Sequence, residues 1–300
     1  MKKRKQHYVW RYYLKAWSTS GQLWCRRDGK PFLSATENVA QMRDFYRLKK
    51  MSERDIQCVE ALIASMAPAA QEGARGWLPH FALLFDLQRQ FIVGGGTDPK
   101  VEKQFDIEIN NMEEEIQSGI EESAIPLLDA LREGDGAFLV DDGKFADFSL
   151  FLAMQLLRTP KVQTRMTSAP LPGLNLEASW GLLRTIFATN IGGVWFRQRS
   201  RCRLTFLEAG PASQFITGDQ PLLNTRASRA DRELPPEALE MYYPVSPVRA
   251  VLIDMDGPIR SVTARRLSDE GTRVFNGMIA RESDEQVYAS TEGALLTLPG

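Results

Sequence analysis

Residues 146–166, ADFSLFLAMQLLRTPKVQTRM, form the most apolar helical segment of the chain and decide the interior of the predicted fold. Leu150 and Leu157 recur at helical spacing, which predicts a helix over residues 146–167. Pro160 is expected to bend or end this helix, because proline lacks an amide hydrogen and its ring clashes with the preceding turn. We therefore expect a core helix with a break at Pro160.

A polar pair, Gln155 and Arg158, shares one face of this apolar helix because the two residues are three positions apart. The Arg158 guanidinium can hold a carboxylate or a phosphate through two parallel hydrogen bonds, and Gln155 could share that ligand. The alternative is a structural ion pair with Asp147 or Asp219, because an unpaired buried charge is costly. The first interpretation predicts that Arg158→Ala loses activity and folds normally, and the second predicts that it loses folding.

The segments before this helix predict short strands followed by helices. Residues 1–50 combine turn signals with many aromatic residues, and the run QLWCRR predicts a hairpin strand. Residues 51–190 show helical periodicity from a cap at Ser52 onward. Further helices are expected to begin after Pro79 and at Asp98, where a cap residue precedes a proline.

Residues 191–300 are expected to be rich in strands. The run MYYPVSPVRAVLIDMDGP predicts one long strand ending in an AspGly turn, and Ser268 caps a short helix that precedes the strand QVYAS. This order of elements predicts an α+β fold as a single compact unit, with N-terminal short strands, a helical middle, and C-terminal antiparallel strands with a short helix.

Composition excludes several classes of protein. The chain has 300 residues, 43% of them hydrophobic, which is too apolar for an intrinsically disordered protein. Its three cysteines are far apart and it has only two histidines, so neither a disulfide scaffold nor a Cys/His zinc site is expected. The apolar runs are too short to span a membrane, and the basic N-terminus lacks the apolar core of a signal peptide. We expect a cytoplasmic protein without a membrane partner.

The charges are unevenly distributed although the net charge is −1. Residues 1–27 contain eight basic side chains and no acidic one, whereas residues 102–122 are strongly acidic. The segment 195–206 alternates in a way that predicts a strand with a row of arginines on one side. An open row of this kind could follow nucleic-acid phosphates, or carboxylates such as those at 113–115 could neutralise it. The arginines of the row are Arg197, Arg199, Arg201 and Arg203.

Several motifs together resemble the uncharacterised domain of unknown function 4238 family. They are QHYVWRYYLKAWS, FLAMQLLRTP, FITGDQP, YYPVSP and FNGMIARESDEQVYAS, and they occur in the order of the family across nearly the whole chain. The chain departs from the family pattern at Trp10, where a proline is usual, and at Gly218, where serine is frequent. The resemblance implies no settled activity, but it marks polar positions that a fold could gather into one pocket. These positions are His7, Gln155, Arg158, Asp219 and Asn276.

Asp219 and His7 are the residues at which chemistry is expected. Asp219 follows the apolar pair Phe215 and Ile216, and a carboxylate at the end of a buried strand can serve as a metal ligand or general base. An Asx-type turn before Pro221 is the structural alternative. His7 can transfer a proton near neutral pH, and a structural hydrogen bond is its alternative.

Two functional hypotheses follow from these residues. The first is a nuclease-like hydrolase for a phosphate-containing substrate, with Arg158 as phosphate clamp, Asp219 as ligand for a metal or water, His7 as the proton-transfer group, and Gln155 and Asn276 binding substrate. Mg²⁺ or Mn²⁺ is the metal that this hypothesis would require. The second is a non-catalytic module that binds nucleic acid or a protein through the basic N-terminus and the arginine row.

Overall fold

The computed structural model describes residues 1–169, 171–227 and 239–298. The predicted α+β class is confirmed: short strands come first, helices fill the middle, and mostly antiparallel strands with a helix end the chain. Residues 228–238 of the predicted strand-rich part lie outside the described residues.

Helices dominate the described residues. They are α1 (Arg11–Leu14), α2 (Glu53–Ser65), α3 (Pro68–Val93), α4 (Pro99–Glu133), α5 (Asp142–Leu157), α6 (Pro160–Thr167), α7 (Leu176–Arg197), α8 (Asp269–Glu282) and α9 (Glu292–Leu296). The strands are β1 (Lys5–His7), β2 (Gln22–Arg27), β3 (Lys30–Ala35), β4 (Gln41–Arg43), β5 (Arg203–Glu208), β6 (Thr217–Gly218), β7 (Leu223–Asn224), β8 (Glu240–Pro244), β9 (Arg249–Asp254), β10 (Ser261–Arg266) and β11 (Gln286–Ala289).

The strands form three sheets that join distant parts of the chain. One sheet has the order β10-β5-β9-β8-β7, the second has β3-β2-β11-β6, and β1 pairs with β4. In the second sheet the C-terminal strand β11 lies between the N-terminal strand β2 and the strand β6. The two ends of the sequence therefore meet in one sheet.

Several helices begin where a capping side chain accepts a hydrogen bond from a backbone amide of the first turn. Ser52 and Asp55 form a capping box at the start of α2, and the side chains of Asp98 and Ser268 cap α4 and α8. Pro160 separates α5 from α6, as expected from its missing amide. These predicted boundaries are confirmed.

Three predictions about element boundaries are wrong. Pro79 does not open a helix but lies inside α3, which begins eleven residues earlier at Pro68. The predicted long strand after residue 240 is a hairpin, because the chain turns between Pro244 and Arg249 and β8 pairs with β9. The AspGly pair after β9 does not close a hairpin either, since β10 pairs in parallel with β5.

The predicted strand of alternating arginines is also wrong. Helix α7 continues to Arg197, a short 3₁₀ turn spans Arg199–Arg201, and strand β5 begins only at Arg203. Trp195 near the end of α7 is buried, which extends the apolar contacts of this helix beyond the predicted end at residue 190. The arginines therefore lie at a change of direction in the chain rather than along one side of a strand.

Helix α5 lies in the largest apolar cluster and packs closely against α7. Phe148, Phe151 and Met154 of α5 are buried there. The Gly192 backbone of α7 approaches Leu150 so closely that a Cβ at residue 192 would lie 3.1 Å from the Leu150 backbone. This contact fixes α5, and with it the polar residues at its C-terminal end. Within the described ranges, no helix has the length and apolar character needed to cross a bilayer.

Candidate functional site

Arg158 is held in a buried ion pair at the C-terminal end of α5. Its Nη1 donates to Glu121 of α4, Nε donates to the Tyr46 hydroxyl at 3.0 Å, and Nη2 donates to the His7 carbonyl at 2.6 Å. Only 2% of the Arg158 side chain and 11% of the Glu121 side chain is exposed. Both partners proposed from the sequence, Asp147 and Asp219, are therefore wrong, although the expected type of interaction is present.

His7 contributes its backbone carbonyl to this network, and its imidazole faces a different environment. Burial, together with the nearby charges of Arg11 and Arg158, lowers the pKa of His7 to about 4, against an opposing hydrogen bond with the Thr36 backbone. The ring is therefore neutral near pH 7. Its Nε2 is buried without a hydrogen-bond partner.

Asp219 accepts hydrogen bonds from consecutive backbone amides. The Asp284 amide donates to Oδ1 at 2.7 Å, and the amides of Glu285 and Gln286 donate to Oδ2 at 2.7 and 2.8 Å. Burial raises the pKa of Asp219, and these three bonds oppose the rise. The Asx-type turn before Pro221 is thus replaced by a long-range contact that holds the turn between α8 and β11.

The surroundings of Asp219 do not supply the further ligands that a metal ion would need. Both carboxylate oxygens are occupied by the backbone amides. Among the residues that the structure describes, no group of three or more His, Cys, Asp or Glu side chains has a geometry that could hold a metal ion. The residues present therefore do not form a Mg²⁺ or Mn²⁺ site around Asp219.

Asn276 and Gln155 are also buried. The Asn276 side chain accepts from the Ile216 amide at 3.1 Å and donates to the Gln214 carbonyl at 2.8 Å, so it fixes the chain before β6. Gln155 is 1% exposed, and its Nε2 has no hydrogen-bond partner. Neither side chain is open to a substrate in this conformation.

The residues of the predicted motifs do meet, through bonds made partly by their neighbours. Thr159 beside Arg158 donates to Gln220 beside Asp219. Gln286 donates to the Tyr8 hydroxyl at 3.4 Å, which joins the region of Asp219 to the segment that contains His7. We call this set of residues the motif junction, and it comprises His7, Tyr8, Tyr46, Glu121, Arg158, Thr159, Asp219, Gln220 and Gln286. It is closed and internally bonded, unlike the open pocket that the hydrolase hypothesis needs.

The four arginines predicted to form a row gather with a fifth at one corner of the protein. The Arg260 Nε donates to the Arg199 carbonyl at 2.9 Å, and the Gly257 amide donates to the Arg201 carbonyl at 3.1 Å. The loop between β9 and β10 is thereby bound to the 3₁₀ turn after α7. We call this set the arginine corner, and it comprises Arg197, Arg199, Arg201, Arg203 and Arg260.

Three of these arginines are paired with carboxylates. Arg199 binds Asp142 through Nε and Nη2 at 2.7 and 3.0 Å, Arg201 lies 3.3 Å from Asp256, and Arg203 pairs with Asp254. Arg197 is exposed and forms no ion pair within the described residues, and Arg260 is bonded to a carbonyl rather than a carboxylate. Among the described residues, no ion pair joins the carboxylates at 113–115 to the corner, and Glu113 pairs with Arg184 instead.

The comparisons with known proteins bear on residues 5–180, which are more than half of the chain. A family described as "Protein of unknown function (DUF4238)" matches residues 5–180. The chain belongs to this family. The matched DUF4238 region contains His7, Gln155 and Arg158, whereas Asp219, Asn276 and the arginine corner follow it. No curated protein and no solved structure matches the chain.

Sequence reasoning missed the partners that organise the DUF4238 motif junction. Glu121 belongs to the acidic run of α4, where residue type alone does not separate a buried carboxylate from an exposed one. Tyr46 binds Arg158 through its hydroxyl and lies over a hundred positions away in the chain. A helical-face projection of α4 could have found Glu121, because Glu113, Gln117 and Glu121 recur every four residues and are all buried.

Proposed function

We propose that the protein binds the phosphate backbone of nucleic acid through the arginine corner. The observation that carries this proposal is that Arg260 is hydrogen-bonded to the backbone of the segment that contains the other four arginines, and that among the described residues three of the five form ion pairs with carboxylates. Arginine presents a planar fork of donors that matches two oxygens of a phosphate. The corner therefore offers several such forks within one surface.

Two of the three existing ion pairs are compatible with phosphate binding because both of their side chains are partly exposed, whereas Asp254, the partner of Arg203, is only 5% exposed. The side chains of Arg201 and Asp256 are 50% and 52% exposed, and those of Arg199 and Asp142 are 31% and 59% exposed. Exposed pairs of this kind contribute about 0–1 kcal/mol to stability, so phosphate oxygens can replace a carboxylate at little cost. A nucleic acid also contacts several arginines at once, and each phosphate that an arginine neutralises releases its condensed counterions.

The hydrolase hypothesis stays a prediction that the geometry does not favour. It assigns catalysis to Arg158, Asp219 and His7, and all three contribute to the closed motif junction. The hypothesis is tested by incubating the protein with RNA, DNA and nucleotides in the presence and absence of Mg²⁺ or Mn²⁺. Cleavage by the wild type that is lost in a folded Asp219→Asn variant would support hydrolysis, and equal inactivity of the two proteins would refute it.

The binding proposal is tested by fluorescence anisotropy with labelled oligouridylate and with a DNA oligonucleotide of the same length. The test variant is Arg197→Ala/Arg201→Ala/Arg260→Ala. The matched control, Arg43→Ala/Arg89→Ala/Arg273→Ala, removes the same charge from exposed sites elsewhere. We expect the test variant to bind at least about tenfold more weakly than the wild type, a difference of about 1.4 kcal/mol, and the control to bind nearly as well.

Two outcomes would overturn the proposal. Equal losses in both triple variants would show that net charge alone is responsible. Displacement of the oligonucleotide by polyglutamate at lower concentration than by unlabelled RNA would assign the corner to an acidic protein partner instead.

A further inference from the structure

A separate cleft lies on the side of the molecule formed by the segment after β4 and by helices α3, α6 and α7. Its volume is about 500 Å³, within the range of about 300–1,000 Å³ that is usual for small-molecule sites. The cleft uses none of the arginine-corner residues and neither Arg158 nor Asp219. An inference about it therefore stands independently of the proposed function.

Aromatic side chains and cations both line this cleft. Phe45, Phe85 and Trp180 contribute apolar ring surface, and Arg47 and Lys49 contribute positive charge. Aromatic surface favours a planar apolar ligand body, because stacked rings gain contact area with little loss of side-chain entropy. The cations would favour a negatively charged group on the same ligand.

The charged side chains that line the cleft are equal in number, three acidic and three basic, and Lys49 among them has unused donors. Each carboxylate of the wall already has a cation partner: Asp44 lies near Arg4 and Arg43, Glu113 pairs with Arg184, and Glu177 pairs with Lys49. By contrast, the Lys49 ammonium has three donors and a single hydrogen bond, to Glu177. A negatively charged ligand group thus meets free donors on Lys49. A positively charged group meets carboxylates that each have a cation partner, with Asp44 Oδ1 as the one wall oxygen among the described residues that is buried without a hydrogen bond.

The buried floor also has unused donors. Arg184 is 1% exposed and uses three N–H groups, two for Glu113 and one for Gln163, of the five that a guanidinium carries. Trp180 is 2% exposed, and its Nε1 donor has no acceptor. Because this nitrogen is shielded from solvent, a ligand acceptor reaches it only after a neighbouring side chain moves.

We infer that this cleft is a binding site for an aromatic anion, a small planar ring compound that carries one carboxylate, sulfonate or phosphate group. The ring packs against Phe45 and Phe85, and the anionic group accepts hydrogen bonds from Lys49 and Arg47. It replaces Glu177 on Lys49 and Asp106 on Arg47, where the existing pairs are exposed and contribute about 0–1 kcal/mol each.

Two fluorescent probes that differ in charge test this inference. Anilinonaphthalene sulfonate is an aromatic anion, and N-phenylnaphthylamine has the same ring system without the anionic group. We expect the sulfonate to bind the wild type with one-to-one stoichiometry and Lys49→Gln to weaken it at least about fivefold, or about 1 kcal/mol. The neutral probe should bind weakly and should be insensitive to Lys49→Gln.

Matched bulky substitutions locate the bound probe. Thr167→Trp places a ring in the cleft, whereas Ser168→Trp adds the same bulk at the next position, which does not line it. We expect Thr167→Trp to abolish sulfonate binding and Ser168→Trp to preserve it, with both variants checked for folding by circular dichroism. Equal effects of the two substitutions, or equal binding of the two probes to the wild type, would overturn the inference. Competition by benzoate and by phenyl phosphate then distinguishes a carboxylate from a phosphate ligand.

Discussion

Arg158 at the end of α5 forms a buried ion pair with Glu121 of α4, and the same guanidinium donates to the backbone carbonyl of His7. One side chain thus connects the N-terminal segment to two helices of the core. Burial raises the pKa of Glu121, and the adjacent Arg158 charge opposes that rise. The pair is structural: if either residue is replaced, the other is left buried without its partner.

The first prediction concerns the stability that depends on this pair. Arg158→Ala should lower the free energy of unfolding by about 3–5 kcal/mol, because it leaves the Glu121 carboxylate buried without its partner. Urea denaturation followed by circular dichroism measures the change. The double variant Arg158→Met/Glu121→Leu should recover much of the loss, since no buried charge remains. A fully stable Arg158→Ala protein would contradict the structural role and revive the phosphate-clamp hypothesis.

The second prediction concerns the turn held by Asp219. Asp219→Asn should destabilise the protein by about 1.5–3 kcal/mol. The Asn side chain replaces one carboxylate oxygen by an NH2 group, which cannot accept the hydrogen bond of a backbone N–H. Asp284→Asn, an exposed carboxylate beside the same turn, is the control and should change stability by less than about 0.5 kcal/mol. Equal stabilities of the two variants would refute this account of Asp219.

The third prediction compares two adjacent glycines of α7. Gly192→Ala should cost about 1–3 kcal/mol, because the added methyl would meet the Leu150 backbone at 3.1 Å and α5 would have to move. Gly193→Ala meets only the end of the flexible Arg197 side chain, at 3.5 Å, and should be neutral or stabilising by up to about 1 kcal/mol. Thermal unfolding of the two variants gives the comparison, and a reversed order would contradict the observed packing of α5 on α7.

The fourth prediction concerns pH. The pKa of His7 is about 4 in the folded protein and 6.5 for the ordinary side chain. Between these values the unfolded chain binds a proton that the folded protein does not, so the contribution of His7 to stability is lost as the pH falls from about 6.5 to about 4. His7→Gln should reduce this loss relative to the wild type. Identical pH dependence of unfolding in the two proteins would rule out the neutral buried imidazole.

Sequence patterns predicted the elements whose signals are local. The caps at Ser52, Asp98 and Ser268 and the break at Pro160 depend on hydrogen bonds within one turn, and a short window of sequence contains them. The start of α3 was misplaced at Pro79 because a proline inside a helix is tolerated when tertiary packing supports the helix on both sides of it. A short stretch of sequence does not show that packing. The hairpin after residue 240 was missed because apolar residues continue through both of its strands.

The candidate site was less predictable because its contacts are long-range. The alternation of arginines after residue 195 has the period of a strand, yet burial of Trp195 extends the helix to Arg197. Arg260 joins the corner from a loop some sixty residues later, and its Nε–H bond to the Arg199 carbonyl has no sequence signature. The sequence motifs marked His7, Arg158 and Asp219 as polar positions, whereas their partners, such as Glu121 and Tyr46, are given only by the structure.

The salt dependence of RNA binding tests the central claim most directly. The logarithm of the observed association constant should fall linearly with the logarithm of the KCl concentration, with a slope of about −0.7 for each phosphate contacted on a single strand. Arg197→Ala/Arg201→Ala/Arg260→Ala should therefore have a slope about 2 units shallower than the wild type, and Arg43→Ala/Arg89→Ala/Arg273→Ala should keep the wild-type slope. Identical slopes for the two triple variants would contradict binding at the arginine corner.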